Sequence, residues 1–237
     1  MKKLLLATAA LALSAGMASA ETIRLGTEGA YEPWNYINDK GEVDGFEREL
    51  GDELCKRTEL TCEWVTNEWD SIIPNLVSGN YDAIIAGMSI TAERAEVIDF
   101  TTNYTPPDPS AYLALSPDVD VESAVISAQT STIQASFVAE HGWTLVEFAT
   151  PEETIAAVRN GEADAVLADK SYLAPFAAEE DDLVLLEREE QIGGGVGMGF
   201  RKSDTALKAK FDAAIQSMKD DGTLNALISK WEVASTF

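Results

Sequence analysis

Residues 78–94 read SGNYDAIIAGMSITAER. The stretch opens with a helix end and the stopper Gly79, continues as the apolar strand YDAIIAG, and turns at Gly87 into hydroxyls and an arginine. Thr91 is a plausible N-cap for a helix over TAERAEVI, because a threonine oxygen there can accept from a backbone N–H one turn on. An arginine among hydroxyls at a strand end suits a small carboxylate; it is also an ordinary way to begin a helix. A second stretch has the same form: NGEADAVLAD (160–169) repeats the helix end, glycine, Asp-Ala and apolar strand. Aligned, Gly87 and Asp169 become equivalent points. The pattern predicts two lobes of similar α/β topology. In open α/β sheets ligands sit beyond the carboxyl ends of the strands, so both points would face one cleft.

The neighbouring segments support alternating strands and helices. TIRLGT (22–27) reads as a strand, and NDKGEVDGF has hairpin chemistry. Phe46, Leu50 and Leu54 recur every four residues, a helical face running to about Arg57. CEWV is a strand, and SIIPNLVSG a short helix with Pro74 near its start and Gly79 past its end. Three prolines in YTPPDPSAY (106, 107, 109) exclude a helix or central strand and predict an extended crossover. Thr150-Pro151-Glu152-Glu153 has a cap, proline at the first helical position and a capping-box glutamate. GGGVGMGF (193–200) lacks the lysine and spacing of a phosphate loop and reads as a second crossover strand. Two amphipathic helices close the chain, the last marked by Leu224, Leu227, Ile228 and Trp231.

MKKLLLATAALALSAGMASA (1–20) has the basic start, apolar run and A-x-A exit of a cleavable secretory signal. A membrane anchor would need a longer apolar span. Residue 21 is Glu, so no lipid-attachment thiol follows. Removing 20 of 237 residues leaves 217, with 15 bases against 41 acids, a formal charge of −26. That surface repels nucleic acid and anionic lipid and draws cations inward, although simple solubility also accounts for much acidity. Cys55 and Cys62 in an exported chain are expected to pair. No metal site is expected, because the only histidine, His141, is far from both cysteines.

Several elements together resemble the periplasmic amino-acid-binding proteins of ABC importers, in the branch for lysine, arginine, ornithine, histidine and opines. They are GTEGAYEPWNY, GEVDGFERELGDELCKR, the Cys55/Cys62 spacing, WDSIIPNLVSGNYDAIIAGMSITAER, DAVLAD and GMGFRKSD. The resemblance implies an α/β, two-lobed periplasmic binding protein fold of type II, with two crossover strands. Residues 1–20 would be the signal peptide, 21–107 and 200–237 one lobe, and 108–199 the other. It implies that Arg94 grips a ligand α-carboxylate, which suits the two parallel donors of a guanidinium. Ser89 would add a hydroxyl from the Gly87-Met88-Ser89 turn, and Thr132 a donor from the second lobe. Asp169 would accept from the α-ammonium. Tyr31 and Trp69 would sandwich the side chain, with Glu28 near its tip.

Each residue also has a plain reading: Arg94 paired with Glu93 or Glu96, Asp169 as a helix N-cap, Tyr31 and Trp69 as core aromatics, Glu28 as surface. Many relatives carry serine at the place of Gly87, so a hydroxyl is missing and room is gained. The segment before QTST is shortened, and Thr130 stands where glycine is usual. The expected function is capture of an amino acid, cationic or an opine such as octopine, in the periplasm. The chain would deliver it as a monomer, without a cofactor, to an ABC permease in the inner membrane. A rival is an enzyme like cyclohexadienyl dehydratase, which shares the architecture. An aspartate placed for an ammonium, being a poor proton donor, speaks against it.

Overall fold

The computed structural model describes residues 22–237, so the signal-peptide reading lies outside the described residues. In chain order the first part carries β1 (Thr22–Thr27), β2 (Ala30–Tyr31), β3 (Asn35–Ile37), β4 (Val43–Asp44), α1 (Phe46–Arg57), β5 (Thr61–Thr66), α2 (Ile72–Val77), β6 (Ala83–Ile84), α3 (Ala92–Val97) and β7 (Asp99–Phe100). The second carries β8 (Ser110–Ala114), β9 (Val125–Gln129), α4 (Ile133–Glu140), β10 (Thr144–Phe148), α5 (Pro151–Asn160), β11 (Ala165–Asp169), α6 (Lys170–Glu179) and β12 (Val184–Glu190). The chain then returns through β13 (Gly199–Phe200), α7 (Thr205–Asp220) and α8 (Thr223–Trp231).

These elements form two five-stranded sheets, β5-β1-β6-β13-β7 and β10-β9-β11-β8-β12, with a small β2-β3-β4 sheet beside the first. The two orders match strand for strand. In each, a central strand runs parallel to two neighbours, β1 to β5 and β6, and β9 to β10 and β11. In each, the fourth strand runs antiparallel to both of its neighbours.

The repeat seen in the sequence has a shared bonding scheme. The Asp82 carboxylate accepts from the Arg24 backbone N–H at 3.0 Å, while Asp82 N–H donates to the Arg24 carbonyl at 2.9 Å. Asp164 does the same with Val125, at 2.8 Å in both directions. The aspartate of Gly-x-x-Asp-Ala thus docks the incoming strand onto the central one in both lobes. Gly79 and Gly161 end the preceding helices with φ of 84° and 73°.

Helix α1 spans the expected residues, with Phe46, Leu50 and Leu54 fully buried against Phe200, Phe211, Ile215, Leu224 and Ile228. The capping box at Thr150 and Glu153 is complete. Strand alternation divides the core. Ala83 and Ile85 face the α1 side of the first sheet, and Ile84 packs with Trp69, Leu76, Tyr81 and Met88 on the other. Cys55 and Cys62 are joined, tying the last turns of α1 to β5.

Two segments link the sheets, 101–109 outward and 191–198 back, and they run side by side. Val196 bridges both Ser89 and Thr105, and Tyr104 N–H donates to the Val196 carbonyl at 2.8 Å. Gly195 permits this approach: it has φ of 89°, and a Cβ there would lie 2.8 Å from the Thr105 carbonyl oxygen.

Candidate ligand-binding site

The carboxyl ends of β1, β6, β9 and β11 open onto one cleft between the sheets, about 510 Å³ including its mouth. Glu28, Tyr31, Trp69, Gly87, Ser89 and Arg94 line it from the first sheet's side, and Thr132 and Asp169 from the second's. Met88, expected with them, does not line it. Its side chain is fully buried beside Trp69, Ile72 and Ile98, in the core behind the first sheet.

Arg94 is held without a carboxylate. One terminal nitrogen donates to the Ser89 carbonyl at 2.9 Å and the other to the Ser131 carbonyl at 3.2 Å, while the guanidinium lies 5.2 Å from the centre of the Trp69 ring. Among the described residues it makes no ion pair, so neither Glu93 nor Glu96 takes it. The Thr91 hydroxyl caps α3 by accepting from the Arg94 backbone N–H at 3.1 Å, which fixes the start of the helix that carries the side chain. Burial lowers the guanidinium's pKa to about 10, with Asp169 and Glu93 pulling the other way. Two of its five donors are engaged, which leaves three for an anion.

Asp169 ends β11 and stands at the N-cap position of α6, yet its side chain makes no capping bond. Its Oδ2 accepts from the Tyr31 hydroxyl at 3.0 Å and its Oδ1 from Gln134 Nε2 at 2.9 Å. Burial, then Asp108, raises this carboxyl to about 7, against the Tyr31 bond, Arg94 and Gln134. A cation bound at this carboxylate favours its charged form. Paired with an ammonium, Asp169 is a poor proton donor. Burial also raises Glu28 to about 7, opposed by its bond from Gln129 Nε2 at 2.6 Å.

Thr132 differs from expectation. Its hydroxyl donates to the Gln129 carbonyl at 2.6 Å and accepts from the Ala135 N–H at 3.1 Å, capping α4. With the hydroxyl proton committed, what this end of α4 presents is the set of free N–H groups of a helix start. The aromatic sandwich is one-sided as well. Tyr31 stacks on Tyr172 at 4.2 Å and Trp69 carries Arg94, so each ring has one face engaged.

Gly87 has φ of 60°, and a Cβ there would meet only Tyr31 Cδ1, at 3.8 Å. Space is available, as expected, but the left-handed backbone is a further reason for glycine. Beneath it the buried Glu47 accepts from Gly87 N–H at 2.6 Å, from Asn35 Nδ2 at 2.7 Å and from the Tyr104 hydroxyl. One carboxylate thereby ties the cleft floor to the first crossover.

Sequence reading missed Glu47, Gln129 and Gln134. The repeat holds a signal for Gln129. Registers of Gly26 with Ile84 and of Ser127 with Val166 make Gln129 the counterpart of Glu28. The two meet across the cleft. With Tyr31–Asp169, Trp34–Ser171 at 3.0 Å and Trp69–Ser131 at 3.3 Å, they bring the sheets into direct contact.

A profile of the bacterial extracellular solute-binding proteins, family 3, matches residues 23–234. The chain belongs to this family. It is 67% identical to a periplasmic His/Glu/Gln/Arg/opine family-binding protein from Silicibacter pomeroyi, solved in complex with lysine, with a TM-score of 0.88 over 91% of this chain and 100% of that one. It is 32% identical to an octopine-binding periplasmic protein of Rhizobium meliloti, over 94% of this chain and 95% of the other. An ancestral amino-acid-binding protein described as a precursor of cyclohexadienyl dehydratase is 27% identical, with a TM-score of 0.80 over 89% and 95%. The type II two-lobed architecture is thus shared by family members that bind amino acids and work with ABC transporters.

Proposed function

We propose that the protein captures a cationic amino acid of the lysine or arginine class between its lobes, in the periplasm after signal cleavage. It would present the ligand, as a monomer, to an inner-membrane ABC permease. The observation that carries this reading is a charge count. The cleft is lined by two carboxyls, Glu28 and Asp169, and one guanidinium, Arg94, a net of −1 once a bound cation holds both carboxyls in their charged form. An α-amino acid with a cationic side chain carries +1. Its α-carboxylate would take the free donors of Arg94 and the N–H groups at the start of α4, its α-ammonium Asp169, and its side-chain cation Glu28. Each charge-assisted bond contributes ~1.5–3 kcal/mol. Three such contacts sum to ~4.5–9 kcal/mol before ordering costs, so burial of the side-chain stem against Tyr31 and Trp69 must add to them to reach the ~8 kcal/mol of micromolar binding. A neutral amino acid would leave one buried carboxylate uncompensated.

Ligand bonds reaching both lobes would favour the closed arrangement, which a permease can read as occupancy. A second reading, an opine ligand, is favoured by the room at Gly87, where a substituent on the α-nitrogen would meet little. The test is a titration panel of lysine, arginine, ornithine, histidine, glutamine, glutamate and octopine. A ligand at 100 times its dissociation constant stabilises the fold by ~2.7 kcal/mol, readily seen as a melting shift. Cationic amino acids should bind tightest. Glutamine or glutamate in first place refutes the charge count, octopine ahead of arginine favours the opine reading, and turnover of prephenate would revive the enzyme.

A further inference from the structure

Beyond Glu28 lies a second, more open cavity of about 910 Å³ including its mouth, lined by Glu28 itself, Ala149, Thr66, Asn67, Glu68 and Asp70 among others. Glu28 lines both cavities; Gln129 lines only the first. The Gln129 amide nitrogen spends both hydrogens across the boundary, on Glu28 Oε1 at 2.6 Å and on the Ala149 carbonyl at 3.0 Å. Both acceptors border the second cavity. The side chain is 7% exposed and fixed at both ends. It is therefore a partition, and it forms only when the lobes meet, because Glu28 belongs to β1's lobe and Gln129 and Ala149 to β9's.

The geometry points to Gln129 as the residue that sets ligand length, by closing the cleft at the side-chain tip against the acidic cavity behind it. This rests on the cationic amino-acid reading above, which puts the tip at Glu28. The chemistry that the second cavity would accept, were the partition removed, follows from its lining. It contains three carboxylates and no base, so it fits a diamino acid whose side-chain nitrogen carries an extension ending in an ammonium.

The experiment compares lysine with Nε-(β-alanyl)lysine by titration calorimetry on wild type, Gln129→Ala and Gln129→Asn. Asparagine keeps the amide on a stem too short to span the gap, and serves if alanine impairs folding. Wild type should prefer lysine by at least tenfold, and either folded variant should narrow that preference at least tenfold. A moved end wall shows as a gain in affinity for the extended ligand itself, whereas loss of the Gln129 bond to Glu28 weakens lysine and general loosening weakens both ligands. A folded variant that keeps the wild-type ratio overturns the inference and leaves the charge count standing. A wild type that binds lysine no better than alanine overturns both.

Discussion

Lowering the pH should weaken binding of a cationic amino acid by a calculable amount. Glu28 and Asp169 each sit near 7 in the ligand-free cleft, raised chiefly by burial. A cation beside either favours its charged form, so binding selects the ionised state and pulls both values down. Each group is roughly nine-tenths ionised at pH 8 and roughly one-tenth at pH 6. If both must be ionised, lysine affinity falls about one hundredfold between those values, ~2.7 kcal/mol. Glu28→Gln removes one group and should reduce the loss to about tenfold.

Without ligand the sign reverses. Glu28 is raised from 4.5 when unfolded to about 7 when folded, so its stabilising contribution is present below about 4.5 and disappears as pH rises through about 7. Wild type should therefore lose ~2–3 kcal/mol relative to Glu28→Gln between pH 5 and pH 8. Calorimetric titration in buffers of different ionisation enthalpy reads the proton release, and urea unfolding of the two proteins reads the stability gap. Lysine affinity that is flat from pH 6 to pH 8, or a pH dependence unchanged in Glu28→Gln, refutes the reasoning.

Replacing Arg94 with Lys should weaken lysine binding at least tenfold while the protein stays folded, because an ammonium keeps the charge but loses the planar fork and its stacking on Trp69; calorimetry decides, and unchanged affinity removes Arg94 from the site. Replacing Cys55 and Cys62 together with serine should lower stability by ~2–3 kcal/mol, the chain-entropy value for so short a loop. Neither cysteine lines the cleft, so lysine affinity should be unchanged, with denaturant unfolding and titration on the same sample as the readouts.

The fold was legible where local chemistry repeats at fixed spacing. Phe46, Leu50 and Leu54 marked one helix face, Thr150-Pro151-Glu152-Glu153 a helix start, and the two Gly-x-x-Asp-Ala turns the equivalence of the lobes. Arg94 and Asp169 were visible because each follows an apolar strand end. What stayed hidden depends on contacts between distant residues. Gln129 is fixed by Glu28, 101 positions away, and Gln134 by Asp169, 35 positions away, so no local pattern marks either. Met88 was grouped with the cleft because a motif names neighbours, whereas its side chain packs into the core with Trp69, Ile72 and Ile98. For Thr132 the sequence does not say whether a hydroxyl at a helix start serves the chain or a ligand; here it caps α4.

The duplicated topology also explains how the charges come to be divided. Residues that hold each lobe together kept their identity at equivalent points: Asp82 and Asp164 dock a strand by the same pair of bonds, and Gly79 and Gly161 end the helix before it. The strand ends that face the cleft differ. Where β1 leads to Glu28, β9 ends in the neutral Gln129; where β11 ends in Asp169, β6 leads to the bare Gly87. Each lobe thus brings one carboxylate, at non-equivalent strand ends. A ligand with one cation pairs with the carboxylate of one lobe, and a ligand with two cations, at its α-carbon and at its side-chain tip, pairs with both. Arg94 sits at the seam, already bonded to Ser131 of the other lobe. A carboxylate arriving there adds to a contact between the lobes that exists without it. On the proposed reading, selection for two cations and one anion would be a property of closure, and a substitution that neutralises either carboxylate should weaken closure and discrimination together.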